Sequence, residues 1–356
     1  MNTLIQNEAI ELDRHYVFFY CSPTRSSLMT GRYPMHVTED NGLACTVVGA
    51  VPVEMTMIPA KLKSKGYTSH HIGCASACPH RMSASHVRIA QNLLCRSARS
   101  ESAGSVSKWH LGQTKTTSLP INRGFDTDFS YLGGAEDHYT NENGGCGNCG
   151  KHVDLWRDHG PARGENGTGY TAFAWNNEAV KIIRGHAGDT NPWFMYLALQ
   201  CAHAPNEPDV FAGLYSSDQH SEDYIDYNGM ISAVDSTVGN VTSALKATQQ
   251  WDNTLLVFTS DNGGPSGRSV SGASANNWPL RGGKHTAWEG GHRVLAFVTG
   301  GLVPAAMRGK KLEGYVHAAD WCKRPPTPCA RPRIRTRESR PCRCDLRHAG
   351  GRRSGR

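Results

Sequence analysis

The sequence predicts a three-layer α/β/α sandwich, and three stretches carry that prediction. Residues 193–199 and 254–259 are near-continuous apolar runs, which are typical of strands covered on both faces. Residues 225–246 place their apolar side chains at helical spacing. Long helices between fully buried strands indicate a sheet with a helical layer on each side.

The shorter elements are predicted in chain order. Residues 17–20 form an apolar run that ends at Cys21, which fits a buried strand or turn. Residues 57–65 have apolar side chains four apart and are followed by glycine, so they predict a helix. Strands are expected over residues 67–73 and 295–299.

The composition limits the function classes that are reasonable. The chain has 356 residues, of which 38% are hydrophobic and 19% charged, as in an ordinary soluble globular protein. The formal charge is +7, but residues 321–356 hold eleven Arg and one Lys against two acidic residues, a net of +10 that leaves −3 elsewhere. We therefore expect no nucleic-acid surface on the body of the protein. No apolar run is long enough to span a membrane, and the first residues lack the apolar core of a signal peptide.

The most informative stretch runs from Cys21 to Arg32 and reads C-S-P-T-R-S-S-L-M-T-G-R. Downstream, Asp261 and Asn262 follow the apolar run 254–259, where α/β proteins commonly bind ligands. Their hard oxygens suit Ca²⁺ or Mg²⁺, but D-N-G-G is equally good turn chemistry, so the motif alone leaves both readings open.

Four more residues are candidates for the same site. Lys108 and His110 lie in K-W-H-L-G, His203 follows the run 193–199, and Lys284 lies in a glycine-rich stretch. Each has an ordinary structural explanation when taken alone: a solvated loop, a structural histidine or a flexible loop.

Together these motifs resemble the type I sulfatases, and most closely their arylsulfatase B-like (N-acetylgalactosamine-4-sulfatase-like) subgroup. The resemblance implies a sandwich of the alkaline-phosphatase-like type. It also implies that a formylglycine-generating enzyme oxidises Cys21 to formylglycine, whose hydrate is the nucleophile. The metal would be Ca²⁺, with Mg²⁺ also compatible, held by Asp261, Asn262 and residue 21.

The resemblance also assigns roles around the sulfate. Arg25 would stabilise the hydrate, while Lys108 and His110 would hold the hydrate and the sulfate. His203 and Lys284 would contact the sulfate and the leaving oxygen, one of them as general acid. The expected activity is hydrolysis of sulfate esters, such as sulfated sugars or glycosaminoglycan-like glycans, in a lysosomal or extracellular compartment.

Three departures from the family pattern lead us to expect an incomplete sandwich. The family's first strand carries an Asp-Asp pair that has no counterpart in the twenty residues before Cys21. Residues 74–107 read as an insertion, either translated intron or a genuine surface loop. Residues 322–356 are rich in Arg and Pro and predict a disordered tail in place of a small C-terminal sheet domain. The predicted catalytic domain therefore comprises residues 1–73 and 108–321.

Two other functions stay open. A catalytically inactive binder of sulfated glycans would explain the missing Asp pair. A phosphate-ester hydrolase of the wider superfamily is disfavoured, because those enzymes use Ser or Thr where Cys21 stands.

Two further features are weaker evidence about function. Cys146 and Cys149 form a C-x-x-C, for which a disulfide is the default interpretation. Asn166 and Asn240 are possible glycosylation acceptors.

Overall fold

The computed structural model describes residues 1–39, 50–72, 93–96, 104–105, 109–142, 152–207, 211–215, 221–266 and 275–323. The chain divides into two units, Met1–Pro325 and Pro326–Arg356, and all described residues belong to the first. Lys108, Cys146 and Cys149 lie outside the described residues, as does the predicted tail from residue 324 onward.

A twelve-stranded mixed sheet forms the centre of the first unit. The strands are β1 (Ile10–Tyr16), β2 (Thr68–Ile72), β3 (Leu93–Arg96), β4 (Gly104–Ser105), β5 (Thr127–Ser130), β6 (Trp156–Arg157), β7 (Gly160–Pro161), β8 (Trp193–Leu197), β9 (Leu256–Thr259), β10 (Arg293–Val294), β11 (Ala296–Thr299) and β12 (Lys310–His317). The helices are α1 (Asn2–Asn7), α2 (Cys21–Thr30), α3 (Ile58–Lys63), α4 (Thr171–Gly185), α5 (Glu222–Ala247), α6 (Glu289–His292) and α7 (Asp320–Lys323). None of the described helices is long and apolar enough to cross a membrane.

Helices cover both faces of the sheet, as the alternating side chains of β8 show. Trp193, Met195 and Leu197 belong to the apolar cluster that contains the buried faces of α4 and α5. Phe194 and Tyr196 point the other way, into the cluster formed with α2 and α3. Successive side chains of a strand point to opposite faces, so both faces of β8 are buried. The predicted three-layer α/β/α architecture is confirmed.

The strand order is β10-β1-β11-β9-β3-β8-β2-β5-β6-β7, with β12 paired to β1 and β4 to β5. β2 pairs in parallel with β8 and β5. β3 lies antiparallel between β8 and β9, so β8 and β9 run in the same direction. The segments that follow β8 and β9 therefore emerge at the same edge. β3 comes from the segment that the sequence predicts to be an insertion, and that domain assignment stays a prediction.

Several predicted elements coincide with observed ones, and several observed elements had not been predicted. The helices predicted over 57–65 and 225–246 correspond to α3 and α5, and the apolar residues 17–20 form the turn between β1 and α2. β1, α2, α4 and β12 had no prediction. α7 extends two residues into the predicted tail and buries Cys322, which is 2% exposed.

A chain of hydrogen-bonded polar side chains, buried except for Asp189, starts from His70 in β2. His70 Nε2 lies 2.9 Å from His186 Nε2, His70 Nδ1 lies 2.6 Å from Thr127 Oγ1, and His186 Nδ1 lies 3.0 Å from Asp189 Oδ2. Burial lowers the pKa of both histidines, so both rings are neutral at pH 7. A carboxylate only accepts, so the neutral His186 donates from Nδ1 and accepts at Nε2. His70 then donates from Nε2 and accepts the Thr127 hydroxyl proton at Nδ1.

We expect this pair to make the fold acid-sensitive. Burial, reinforced by His186, lowers the pKa of His70 to about 3, and burial lowers the pKa of His186 to about 4, from 6.5. Below pH 6.5 these two histidines bind protons in the unfolded chain but stay unprotonated in the folded chain. The free energy of unfolding therefore falls as the pH drops from about 6.5 toward 4. Urea unfolding between pH 7 and 4 measures this slope, which should be shallower in His186→Gln and unchanged when the exposed His36 is replaced by Gln. An equal slope in His186→Gln would contradict the assignment.

Candidate active site

Cys21 is the first residue of α2 and is fully buried. Tyr20 precedes it in an extended conformation as the N-cap. The Phe18 N–H donates to Thr24 Oγ1 over 2.8 Å, and the Thr24 hydroxyl donates back to the Phe18 carbonyl over 3.1 Å. These two bonds tie the turn to the first turn of the helix, so they fix where Cys21 stands.

The cysteine contacts the segment that follows β9. Cys21 Sγ donates to Asn262 Oδ1 over 3.1 Å, and both Asn262 and Asp261 are fully buried. Gly263 comes next, and a Cβ there would lie 1.7 Å from the Gly290 carbonyl oxygen. Only glycine fits, and this close approach holds the segment of Asn262 against α6.

Arg25, one helical turn after Cys21, binds Asp261. Arg25 Nε and Nη2 both donate to Asp261 Oδ2, over 3.0 and 2.8 Å, and Nη1 donates to the Tyr196 hydroxyl over 3.3 Å. Arg25 is 1% exposed and Asp261 is 0% exposed. Each of these buried charges is stabilised by the other, because an unpaired guanidinium or carboxylate at this depth would be strongly unfavourable. Tyr196 was read only as part of a strand, although a buried tyrosine hydroxyl generally needs a polar partner.

Lys284 reaches the same place from the loop before α6. It is 8% exposed, and its N–H donates to the Gly264 carbonyl over 3.0 Å. Asn277 accepts from the Gly264 N–H and donates to the same carbonyl, each over 2.9 Å. The His285 N–H donates to the Phe19 carbonyl over 3.1 Å. The loop is thus fastened both to the segment after β9 and to the turn before Cys21. Sequence reasoning did not single out Asn277.

His110 is joined to Ser22, the residue after the cysteine. It is 5% exposed and has a φ of +48°, a conformation that is uncommon outside glycine. The Ser22 hydroxyl donates to its carbonyl over 2.6 Å, which links it to the first turn of α2. Lys108, its predicted partner, lies outside the described residues.

His203 follows β8 and therefore lies at the same sheet edge as Asp261. Its carbonyl accepts from His138 Nε2 over 3.0 Å, and its own Nδ1 donates to the Ala204 carbonyl over 2.6 Å. Burial lowers the pKa of His138 to about 4, so that ring is neutral and its Nε2 carries the donated proton. His138 is a second supporting residue that the sequence did not indicate.

A buried carboxyl group lies beside this turn. Glu136 is 1% exposed, and the Gln200 side-chain amide donates to its backbone carbonyl over 2.6 Å. Burial, followed by repulsion from Asp154, raises the pKa of Glu136 well above its usual range. The turn that carries His203 is therefore bonded to a residue whose carboxyl group is disfavoured in its charged form.

The donor set fits only part of a metal site. Asp261 and Asn262 offer hard oxygens of the type that Ca²⁺ and Mg²⁺ prefer. Asp261 Oδ2 accepts two bonds from Arg25, and within the described ranges no group of three or more His, Cys, Asp or Glu could hold a metal ion. Calcium takes about six to eight oxygens, so Asp261 and Asn262 would fill only part of its shell.

A family model described as Sulfatase matches residues 2–323. The chain belongs to the sulfatase family. The predicted family is thereby confirmed, and the arylsulfatase B-like subgroup stays a prediction. This sulfatase is 31% identical over 321 residues to Arylsulfatase J of Mus musculus, covering 88% of this chain and 46% of that protein. It is 26% identical to N-acetylgalactosamine-6-sulfatase of Canis lupus familiaris, covering 80% and 49%.

Among solved structures, this sulfatase is similar to Ps i-CgsB in complex with k-i-k-neocarrahexaose. The TM-score is 0.71 and the identity 26%, over 90% of this chain and 63% of that one. This likeness agrees with the predicted alkaline-phosphatase-like sandwich. The chain spans about half the length of the curated relatives that it matches.

Proposed function

We propose that this sulfatase hydrolyses sulfate esters in the manner of an arylsulfatase, on sulfated sugars or glycosaminoglycan-like glycans. The observation that carries the proposal is the contact between two motifs that are far apart in the sequence. Cys21 donates to Asn262, and Arg25 binds Asp261. Sulfated-sugar chemistry is supported by the relatives, which include N-acetylgalactosamine-6-sulfatase and a structure holding a carrahexaose.

Cys21 is proposed to be the precursor of formylglycine, produced by a formylglycine-generating enzyme. The hydrated aldehyde would supply two hydroxyls on one carbon, of which one attacks sulfur and the other allows release of sulfate. The position of residue 21 suits this role, because the backbone N–H groups at the start of the ten-residue α2 favour negative charge nearby. Arg25, one turn further, adds a fixed positive charge.

The remaining candidates are proposed to bind the sulfate group. Lys284 is nearly buried beside the Asp261–Asn262 segment, where its ammonium group would attract an anion more strongly than in water. His110, whose carbonyl accepts from the Ser22 hydroxyl, would hold the sulfate, and Lys108 is proposed to bind it as well. His203 or Lys284 would protonate the leaving oxygen. These groups act best when they are oriented before the reaction, as the backbone anchors of both loops allow.

A divalent cation, Ca²⁺ or alternatively Mg²⁺, is proposed to bind Asp261, Asn262 and residue 21. It would supply Lewis-acid polarisation of a sulfate oxygen. We further propose a secretory, lysosomal or extracellular location, in keeping with the maturation of Cys21. The exposed Asn166 and Asn240 are compatible with glycosylation there.

The incomplete donor set favours a second function, a catalytically inactive binder of sulfated glycans. Asp261 is already paired with Arg25, and the described residues include no group of three or more His, Cys, Asp or Glu that could hold a metal ion. Such a chain would keep the anion-binding residues and lack turnover.

Turnover of aryl esters separates these functions. The full chain is produced with a formylglycine-generating enzyme, conversion of Cys21 is checked by mass spectrometry, and hydrolysis of an aryl sulfate and the matching aryl phosphate is followed with added Ca²⁺. We expect the sulfate to be hydrolysed more than about tenfold faster, a difference of roughly 1.4 kcal/mol in barrier. Equal or faster hydrolysis of the aryl phosphate would favour the alternative hypothesis of a phosphate-ester hydrolase. No turnover by converted protein would favour the binder.

A further inference from the structure

Two exposed tryptophans and an arginine lie on the loop that carries Lys284. Trp278 is 71% exposed and Trp288 is 49% exposed. The Arg281 guanidinium lies over the Trp288 ring, with its Cζ 3.7 Å from the ring centroid. We name Trp278, Arg281 and Trp288 the rim. Large apolar side chains exposed on one surface loop commonly mark a binding site.

The backbone holds the Arg281–Trp288 stack in place. The Arg281 carbonyl accepts from the Gly290 N–H over 2.8 Å. A Cβ on Gly282 would lie 2.8 Å from the Trp288 Cβ, so the two arms of the loop are in close contact. A planar guanidinium already stacked on an aromatic ring loses little further freedom when it binds a ligand.

The rim lies on the loop that carries Lys284, a residue of the proposed sulfate pocket. Lys284 is three residues after Arg281 and points inward, with 8% exposure. Asn277, the neighbour of Trp278, holds both polar groups of the Gly264 backbone. Gly264 is two residues after Asn262, so the rim is anchored on the same backbone as the candidate site.

The charge of this loop favours an anion. Residues 276–288 contain Arg281 and Lys284 and no acidic residue. The first carboxylate after them, Glu289, accepts from the Tyr16 hydroxyl and lies 3.8 Å from Arg293. Among the residues that the structure describes, no carboxylate lies within ion-pair distance of Arg281. The rim therefore presents indole faces together with an unneutralised guanidinium.

We propose that the rim is a subsite for a sulfated polysaccharide, which binds one sugar ring and a second sulfate group while the target ester occupies the neighbouring pocket. The inference rests on the proposed function, since it assigns a polymeric substrate to the same site. Indole faces pack against the C–H face of a sugar ring, and the guanidinium matches a sulfate through paired N–H donors. A small aryl sulfate would fill the pocket without reaching the rim.

The test measures binding without turnover. The Cys21→Ser chain is titrated calorimetrically with a chondroitin sulfate hexasaccharide, with its desulfated form and with single-stranded DNA of equal charge. Arg281→Gln and Trp288→Ala are added separately to that chain. The matched control is Lys246→Gln, which breaks another exposed cation–aromatic pair, 4.9 Å from Trp251, at the amino end of β9. Thermal unfolding of each variant shows whether it is folded.

We expect each rim variant to bind the hexasaccharide about tenfold more weakly, near 1.4 kcal/mol, while the control is unchanged. The desulfated form should bind poorly. Unchanged affinity in both folded rim variants, or equal binding of the DNA, would overturn the proposal. Absence of aryl sulfate turnover in the converted wild-type chain would count against the proposed function alone, because the titration reads the rim directly.

Discussion

Replacing Cys21 by serine is expected to abolish steady-state hydrolysis of aryl sulfates while leaving the fold intact. Serine offers one hydroxyl where hydrated formylglycine offers two, so it can attack sulfur but cannot release sulfate by restoring an aldehyde. We expect turnover to fall by more than about 10³-fold, in line with the removal of nucleophiles elsewhere. The serine hydroxyl can still donate to Asn262 Oδ1, so thermal unfolding should change little. Initial rates on an aryl sulfate, with unfolding measured in parallel, give both quantities.

Cys322 provides the matched control for this substitution. It is also buried, and its Sγ donates to the Met29 carbonyl over 3.1 Å at the far end of α2. Cys322→Ser keeps that donor and should retain wild-type turnover. Comparable loss in both variants would mean that Cys21 matters for packing, and full activity of Cys21→Ser would remove the proposed nucleophile.

The sequence predicted the layers of the fold because its central strands are apolar on both faces. The run 193–199 has no polar alternation, and in the structure its side chains divide between two cores. β1 was missed because I-E-L-D-R-H-Y lacks the pattern of a buried strand, and β12 was missed because most of its residues are exposed. Such strands are fixed by backbone pairing with distant segments, here the parallel pairing of β1 with β12.

The candidate site was predictable where its residues stand in compact motifs. Cys21, Arg25, Asp261 and Asn262 were all expected, and the structure brings them into contact across 236 or more positions. The residues that position these side chains do not stand in recognisable motifs, so the sequence did not predict them. Tyr196 has the sequence context of an ordinary strand residue, and its role is visible only in the structure, where its hydroxyl accepts from Arg25.

Removing the Asp261 carboxylate is expected to be the most destabilising single change at the site. Asp261→Ala leaves the buried Arg25 without the acceptor of its Nε and Nη2 protons. Loss of one member of a buried ion pair costs about 3–5 kcal/mol of unfolding free energy. Urea unfolding measures it, with Lys246→Gln as the control: its pair with Glu8 is largely exposed and should be worth less than about 1 kcal/mol.

A double substitution shows whether the cost arises from the unpaired charge. Arg25→Met with Asp261→Leu removes both charges and fills the space with apolar groups. We expect this chain to be more stable than Asp261→Ala alone, because no charge is left buried without a partner. Added Ca²⁺ should raise the stability of the wild-type chain and not of either variant, since a cation that binds only the folded state stabilises it. If Asp261→Ala cost no more than Lys246→Gln, the Arg25–Asp261 pair would not be what holds α2 against the end of β9.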